Sequence, residues 1–389
     1  MVGISAVERN RLGWMALTLT PGMGPTRCGR AVSRLGGAGR VFEASLTELE
    51  GVGMPGASAQ FVGDGRALAA AEDEMKRVGE AGGCVVCFDD EGYPERLREI
   101  FDPPSVLWVR GDVGLLNRPG IAVVGTRQPT PYGSGMAERL ARDLGARKML
   151  ILSGMARGVD TAAHKGALAG GGKTVAVWGT GIDVIYPKEN KQLAEQIVAS
   201  GGAIVSEYPL GTFPAPQNFP IRNRILSGMS VGVLVIEGGE NSGTRITARC
   251  AMEQNRDVYA VPGNVTSKNA WAPNTLIKQG AKLTATWEDV WEDLPSQIRL
   301  GLEDGWGARE SKESAGASLF SDPSLEAGMG EHERLVFARL RHDEAMQLDE
   351  LMEGLEGTLG SPEIFAALFE LEMSGRVRCM PGKNYVKTF

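Results

Sequence analysis

Ile121-Ala122-Val123-Val124-Gly125-Thr126-Arg127 is an apolar, β-branched run that ends on a glycine, a hydroxyl and a cation. The same grammar recurs five times downstream. Met149–Leu152 runs into Ser153-Gly154-Met155-Ala156-Arg157-Gly158, and Thr174–Trp178 into Gly179-Thr180-Gly181-Ile182-Asp183. Ala203–Val205 is followed by Glu207-Tyr208-Pro209, Val231–Ile236 by Glu237-Gly238-Gly239-Glu240-Asn241-Ser242-Gly243-Thr244, and Asp257–Val261 by Pro262-Gly263-Asn264. Short fully apolar strands alternating with amphipathic helical stretches are the pattern of a doubly wound parallel sheet, expected here from residue 81 to residue 295. In such a sheet the loops after the strands share one edge, where ligands bind. The fold class is therefore α/β, with a doubly wound parallel-sheet domain.

Working outward, residues 1–80 read as short helices broken by two similar turns, Thr20-Pro21-Gly22-Met23-Gly24-Pro25 and Leu49-Glu50-Gly51-Val52-Gly53-Met54-Pro55. Each has two glycines separated by one apolar residue, as in a helix-hairpin-helix. Such a hairpin can aim backbone N–H groups at a phosphate. The segment holds nine basic and nine acidic residues, which leaves a docking role open beside DNA binding. Residues 296–330 are rich in Gly, Ser, Ala and acids, most plainly from Leu300 onward, and are expected to be a flexible linker. Residues 331–389 give helical patterns at Glu331–Arg341 and Leu348–Leu355. A helix follows from an expected Ser361 N-cap to Ser374, then alternation around Pro381-Gly382, which together make a winged helix. Its third helix has no Lys or Arg, and the unit has seven basic to eleven acidic residues, which disfavours major-groove reading.

The 389 residues carry a net charge of -7, but Arg118–Trp287 holds 19 Lys plus Arg against 11 Asp plus Glu. That leaves +8 on residues 118–287 and -15 on the remainder of the chain, so this middle stretch is the anion-binding part. None of the loops after these strands carries a complete G-x-G-x-x-G, no Walker lysine pattern occurs, and a single bound NAD or ATP is disfavoured. No cofactor is expected. Arginines instead follow one another along the loops: Arg127, Arg157, and Arg222-Asn223-Arg224 beside Phe219. Several phosphate sites and an aromatic suit a nucleic-acid single strand. The loops at Gly125, Gly154 and Ser242 each open a helix, whose N–H groups suit phosphates. No apolar run nears the roughly 20 residues of a membrane span, and five cysteines favour reduced thiols; a soluble cytoplasmic protein without membrane contact is expected.

Taken in order, these motifs resemble the DNA-processing DprA (Smf) family: Val124–Arg127, Thr130–Gly133, Ser153–His164, Tyr186-Pro187, Ser206–Pro209, Phe219–Ile225 and Ser242–Thr244. The resemblance covers about Cys84 to Leu294, and the outer segments resemble more loosely the N-terminal helical domain of sterile-alpha-motif or helix-hairpin-helix type and the C-terminal winged helix that this family often carries. It implies an extended Rossmann fold that binds single-stranded DNA, forms a homodimer through that domain, and loads the RecA recombinase during natural transformation. It implies phosphate contacts at Gly125, Thr126, Arg127, Ser153, Gly154, Arg157, Gly158, Ser242, Gly243 and Thr244, a base-contacting Phe219, and DNA contacts at Arg222, Asn223 and Arg224. Pro216 stands where some relatives place a lysine.

Other chemistries fit less well. Gly238-Gly239 with Ser242-Gly243-Thr244 echoes the phosphate loop of nucleoside-monophosphate phosphoribohydrolases, yet Arg245-Ile246-Thr247 follows where a carboxylate is needed. The expectation is a binding protein, not an enzyme. Cys84 and Cys87 fall on opposite faces of a strand, so core thiols are expected rather than a zinc or redox pair. Asp160 and His164, four apart on a helix, suggest a mutual hydrogen bond, and Asp183 and Glu207 are expected to orient arginines.

Overall fold

The computed structural model describes residues 5–240, 242–304, 329–341, 345–355, 358–380 and 382–387. Five helices come first: α1 (Ala6–Leu19), α2 (Pro25–Leu35), α3 (Leu46–Gly51), α4 (Gly56–Gly63) and α5 (Arg66–Glu80). Ser5 and Ser45 start α1 and α3 with capping boxes, each closed by a glutamate three residues on. The two Gly-x-Gly turns lie between α1 and α2 and between α3 and α4, as their sequence requires.

The chain then enters a nine-stranded sheet: β1 (Cys84–Cys87), α6 (Glu95–Arg98), β2 (Val106–Gly111), β3 (Gly120–Gly125), α7 (Pro131–Ala146), β4 (Leu150–Ser153), α8 (Val159–Ala169) and β5 (Thr174–Trp178). It continues with α9 (Lys191–Ala199), β6 (Ala203–Ser206), α10 (Asn218–Met229), β7 (Gly232–Ile236), α11 (Thr244–Glu253), β8 (Asp257–Ala260), α12 (Trp271–Lys278), β9 (Lys282–Leu283) and α13 (Trp287–Asp293). The strand order is β1-β2-β6-β5-β4-β3-β7-β8-β9. All pairings from β6 to β9 are parallel, and β2 joins β6 antiparallel to extend the sheet with β1. The six expected strands are present within one residue at each end. The added β2 is a four-residue apolar run, Val106-Leu107-Trp108-Val109, set between a Pro-Pro pair and Arg110, and shows no alternation because both its faces are buried.

One packing layer joins the first helices to the sheet. Leu12, Trp14, Leu17 and Ala71 share a core with Trp108, Trp178 and Ile204. Glu74 of α5 is buried there, accepting hydrogen bonds from Trp108 Nε1 at 3.0 Å and Leu210 N at 2.7 Å. A buried carboxylate needs such donors, and these tie α5 to β2 and to the loop after β6. Cys84 is exposed and Cys87 buried, both as free thiols. They do lie on opposite faces, but only Cys87 is a core thiol, because Cys84 opens an edge strand.

Ser296–Asp304 forms α14, so the first residues expected as linker are helical. The reason is an apolar pair one turn apart: Ile298 and Leu302 pack on the cluster that holds Val290 and Leu294. The rest of the expected linker, 305–328, lies outside the described residues, as do His342 and Pro381. The C-terminal unit is α15 (Glu331–Arg339), β10 (Met346–Gln347), α16 (Leu348–Gly354), α17 (Ser361–Met373), β11 (Val377–Met380) and β12 (Asn384–Lys387), a winged helix as expected. Gly360, one residue before the expected Ser361, is the N-cap of α17; its N–H donates to Glu363 at 2.7 Å.

Candidate nucleic-acid interface

β4, β5 and β6 follow β3 on one side, and β7, β8 and β9 lie on the other. The topological switch point therefore falls between β3 and β7, where adjacent loops part and leave a crevice. A groove of about 810 Å³ lies there. Gly125, Thr126 and Arg127 from the β3 loop, Phe219, Arg222 and Asn223 from α10, and Ser242, Gly243 and Thr244 at the start of α11 all line it. Nine of the expected contacts are thus brought together from three separate segments.

Backbone N–H groups at and beside this crevice are already taken by carboxylates. Asp160, in the first turn of α8, accepts hydrogen bonds from Gly154 N at 3.1 Å and Ala156 N at 3.2 Å. Glu237, ending β7 at φ 49°, accepts from Thr130 N at 2.8 Å and from the Thr130 hydroxyl, at the mouth of α7. These are the seats a nucleotide phosphate takes in a related fold. Two of the three helix starts expected to receive phosphate, those of α7 and α8, are therefore occupied by the protein's own acids. Burial pushes the Asp160 carboxyl up to about 6, against the pull of nearby Arg222 and those backbone N–H groups.

The arginines divide into open and structural members. Arg127 is exposed, its guanidinium 5.8 Å from the centroid of the Phe219 ring. Phe219 in turn lies 5.5 Å from the Tyr186 ring, tilted by 36°. Phe219 is half-buried, not core, and Tyr186 is 41% exposed, so two aromatic surfaces and a cation meet at the groove mouth. Arg222 lies beneath them, only 5% exposed, and donates to the Val177 carbonyl. A Cβ on Gly154 would sit 2.1 Å from Arg222 Nη1, so that glycine exists to admit the guanidinium.

Arg224 corrects the expected row. It is buried on the other flank of α10, bound to Glu207 at 2.6 Å and Asp102 at 3.0 Å, because residues two apart on a helix point about 200° apart. Glu207 does orient an arginine, as expected, whereas Asp183 accepts from Gly211 N and orients backbone instead. Arg157 is also displaced from the row: it stays on the surface, paired with Glu189. Ser153 is buried with its hydroxyl on the Val123 carbonyl at 2.7 Å, stitching β4 to β3. Gly158 sits at φ 78°, where a Cβ would lie 2.5 Å from Thr126 O, so it supports the Arg127 loop from behind. Ser153, Gly154, Arg157, Gly158 and Arg224 are thus off the groove lining.

His164 does not bond Asp160. Its Nδ1 meets the Thr174 hydroxyl at 2.7 Å, and that hydroxyl donates to Ile151 O, so Nδ1 carries the proton. Nε2 is buried with no partner among the described residues. Burial, helped by Arg222, pulls the imidazole down to about 3, and it stays neutral. Asp160 spends its helix position on the preceding loop instead, because its carboxylate is drawn to N–H groups at the α8 start.

The DNA recombination-mediator protein A family model matches residues 84–295, more than half of the chain. The chain belongs to the DNA recombination-mediator protein A family. The DprA winged helix domain model matches residues 321–383. Protein Smf of Escherichia coli is 37% identical over 299 residues, covering 77% of this chain and 76% of that protein. The DNA processing protein DprA of Bacillus subtilis is 42% identical over 219 residues, 56% of this chain and 73% of that protein. The X-ray structure of DprA from Streptococcus pneumoniae superposes with a TM-score of 0.64 at 32% identity, over 74% of this chain and 98% of that one.

Within this recombination-mediator fold, two groove residues and one carboxylate beside the groove were not legible as such in the sequence. Tyr186 was legible only as part of a motif, since no spacing rule sets it against Phe219, 33 positions away. Asn269 lines the groove and donates to the Gln128 carbonyl at 3.1 Å, from a loop without a strand signal. Glu237 was visible as a strand-ending acid; a glutamate followed by two glycines was the available sign that its backbone turns sharply.

Proposed function

We propose that this chain binds single-stranded DNA along the groove at the β3/β7 switch point, with phosphates near Arg127 and the Ser242–Thr244 helix start and a base on Phe219 and Tyr186. On this reading it hands the strand to a RecA recombinase in natural transformation, acts as a homodimer, and turns over no nucleotide. The observation that carries the reading is the division of labour at the crevice: Asp160 and Glu237 fill the phosphate seats a mononucleotide would use, while Arg127 and Phe219 stay open above them. A backbone track with stacking platforms holds strands whose bases are exposed, and a duplex hides those bases. The family's description as a recombination mediator supports the RecA step. The winged helix is not assigned the main contact, because the exposed residues of α17 include Phe365, Phe369 and Met373 and no cation.

The test is an electrophoretic shift with matched single-stranded and duplex oligonucleotides at two salt concentrations. Tighter binding of the strand at both salts is the expected result. Equal affinity for the duplex, or release of free base from a nucleoside monophosphate, overturns the reading. The recombinase step is read separately, as faster assembly of RecA filaments on strands already coated with single-strand binding protein.

A further inference from the structure

The two Gly-x-Gly turns of the N-terminal helices look alike in sequence but differ in what surrounds them. At the second turn, α4 starts at Gly56, and Glu50 lies over that start, with its Oε1 3.2 Å from where a Gly56 Cβ would be. That helix end is closed by its own carboxylate. At the first turn, α2 starts after its N-cap Gly24, and nothing lies within 4 Å of where a Gly24 Cβ would be.

Charge separates them further. No Asp or Glu occurs between Glu8 and Glu43, while Arg27, Arg30, Arg34 and Arg40 fall in that interval. On α2 the apolar residues Cys28, Ala31 and Val32 are buried, so Arg27, Arg30 and Arg34 share the exposed side. Among the described residues no carboxylate forms an ion pair with any of the four. Arg27 spends one N–H on the Gly22 carbonyl at 2.7 Å, which fixes its guanidinium over the turn. The domain's nine acids thus lie elsewhere, and its neutral total conceals one cationic face.

We propose that this arginine face of α2 is a second nucleic-acid site, which grips the phosphate backbone of duplex DNA independently of the switch-point groove. From Arg27 to Arg34 is seven residues, or about 10 Å along a helix axis, a span of about three phosphate steps at roughly 3.4 Å of axial rise per step. Exposed apolar aromatics are lacking along Pro25–Leu35, whose sequence contains none at all. A face with cations and no stacking surface reads charge, not bases. That chemistry favours the duplex, with its denser line of phosphates. The two sites together would hold a junction, with the strand in the groove and the paired segment on α2.

The full chain with Arg27, Arg30 and Arg34 changed to Gln is compared with the unaltered chain on a blunt duplex and on a single strand, each over a salt series. The expected result is a loss of duplex affinity of at least tenfold. Its log affinity against log salt becomes shallower by about 2.7, at about 0.9 per released phosphate contact. Strand affinity changes less than threefold. A folded variant whose duplex affinity and slope are unchanged overturns the proposal. Should the triple variant lose its normal melting transition, Arg30→Gln with Arg34→Gln, which leaves the Arg27 bond to Gly22, takes its place. For that pair the slope falls by about 1.8, and an unchanged slope again overturns the proposal. Failure of strand binding by Phe219→Ala bears only on the groove, so the two readings fail separately.

Discussion

Arg222 and Arg224 stand two positions apart in a row of cations, and the fold gives them unequal tasks. Neither is a free phosphate hook: Arg222 supports the floor of the groove, and Arg224 neutralises Glu207 on the opposite flank. Removing one member of a buried pair strands the other charge, at a cost of about 3–5 kcal/mol. Arg224→Ala is therefore expected to lower stability by about that amount in denaturant unfolding, while the protein that remains folded binds strands with little change. A normally stable Arg224→Ala protein that has lost its strand affinity would return Arg224 to the interface. His164 allows a second test by pH. Its imidazole is held at about 3 in the folded chain against an ordinary 6.5, so the unfolded chain takes up a proton first on acidification. Stability is lost as pH falls from 6.5 towards 3, at about 1.4 kcal/mol per pH unit. Asp160, raised to about 6 from 3.8, acts in the opposite sense, losing stability as pH rises through that window. In His164→Asn, whose amide can still donate to Thr174, the loss that comes from the imidazole is removed and the Asp160 contribution stays. Melting temperatures are expected to fall less between pH 7 and pH 4 than in the unaltered chain; an equal fall contradicts the assignment.

At the scale of elements, the strands were legible because a central parallel strand is buried on both faces and writes itself as an uninterrupted apolar run. Thr174–Trp178 is read to the residue. β2 was missed because its four apolar residues sit behind a Pro-Pro pair that reads as a loop, and antiparallel pairing with β1 and β6 makes it a strand. α14 was missed because two apolar residues on one face are too few to show a period against an acidic, glycine-rich background. The helix starts explain the misreading of the phosphate loops: glycine-rich sequence reveals that N–H groups converge, but not that Asp160 and Glu237 reach them first. The winged helix was read almost whole. Its third helix turns Ile364, Ala367, Leu368 and Leu371 inward and exposes Phe365, Phe369 and Met373. Deleting residues 331–389 is accordingly expected to change single-strand affinity by less than tenfold, about 1.4 kcal/mol. A greater loss in a binding titration would make the β11–β12 hairpin a principal contact.

For the whole molecule, charge and topology agree on one edge. Residues 118–287 carry the basic excess, the switch point between β3 and β7 places the groove, and the groove gathers residues from position 124 to position 269. What sequence could not supply was which side of α10 faces that groove, since Phe219, Arg222 and Arg224 differ only by their angle around the helix. The central claim is that a strand lies across Arg127 and Phe219, and these two residues hold it by different physics. The measurement is single-strand affinity over a salt series for Arg127→Ala and Phe219→Ala, each with its melting temperature. For Arg127→Ala the slope of log affinity against log salt is expected to shrink by about 0.7, one phosphate contact on a single strand. For Phe219→Ala the slope stays constant while affinity drops by roughly 1–3 kcal/mol, the cost of a lost base stack. A Phe219→Ala protein with a normal melting temperature and undiminished strand affinity at every salt concentration would contradict it.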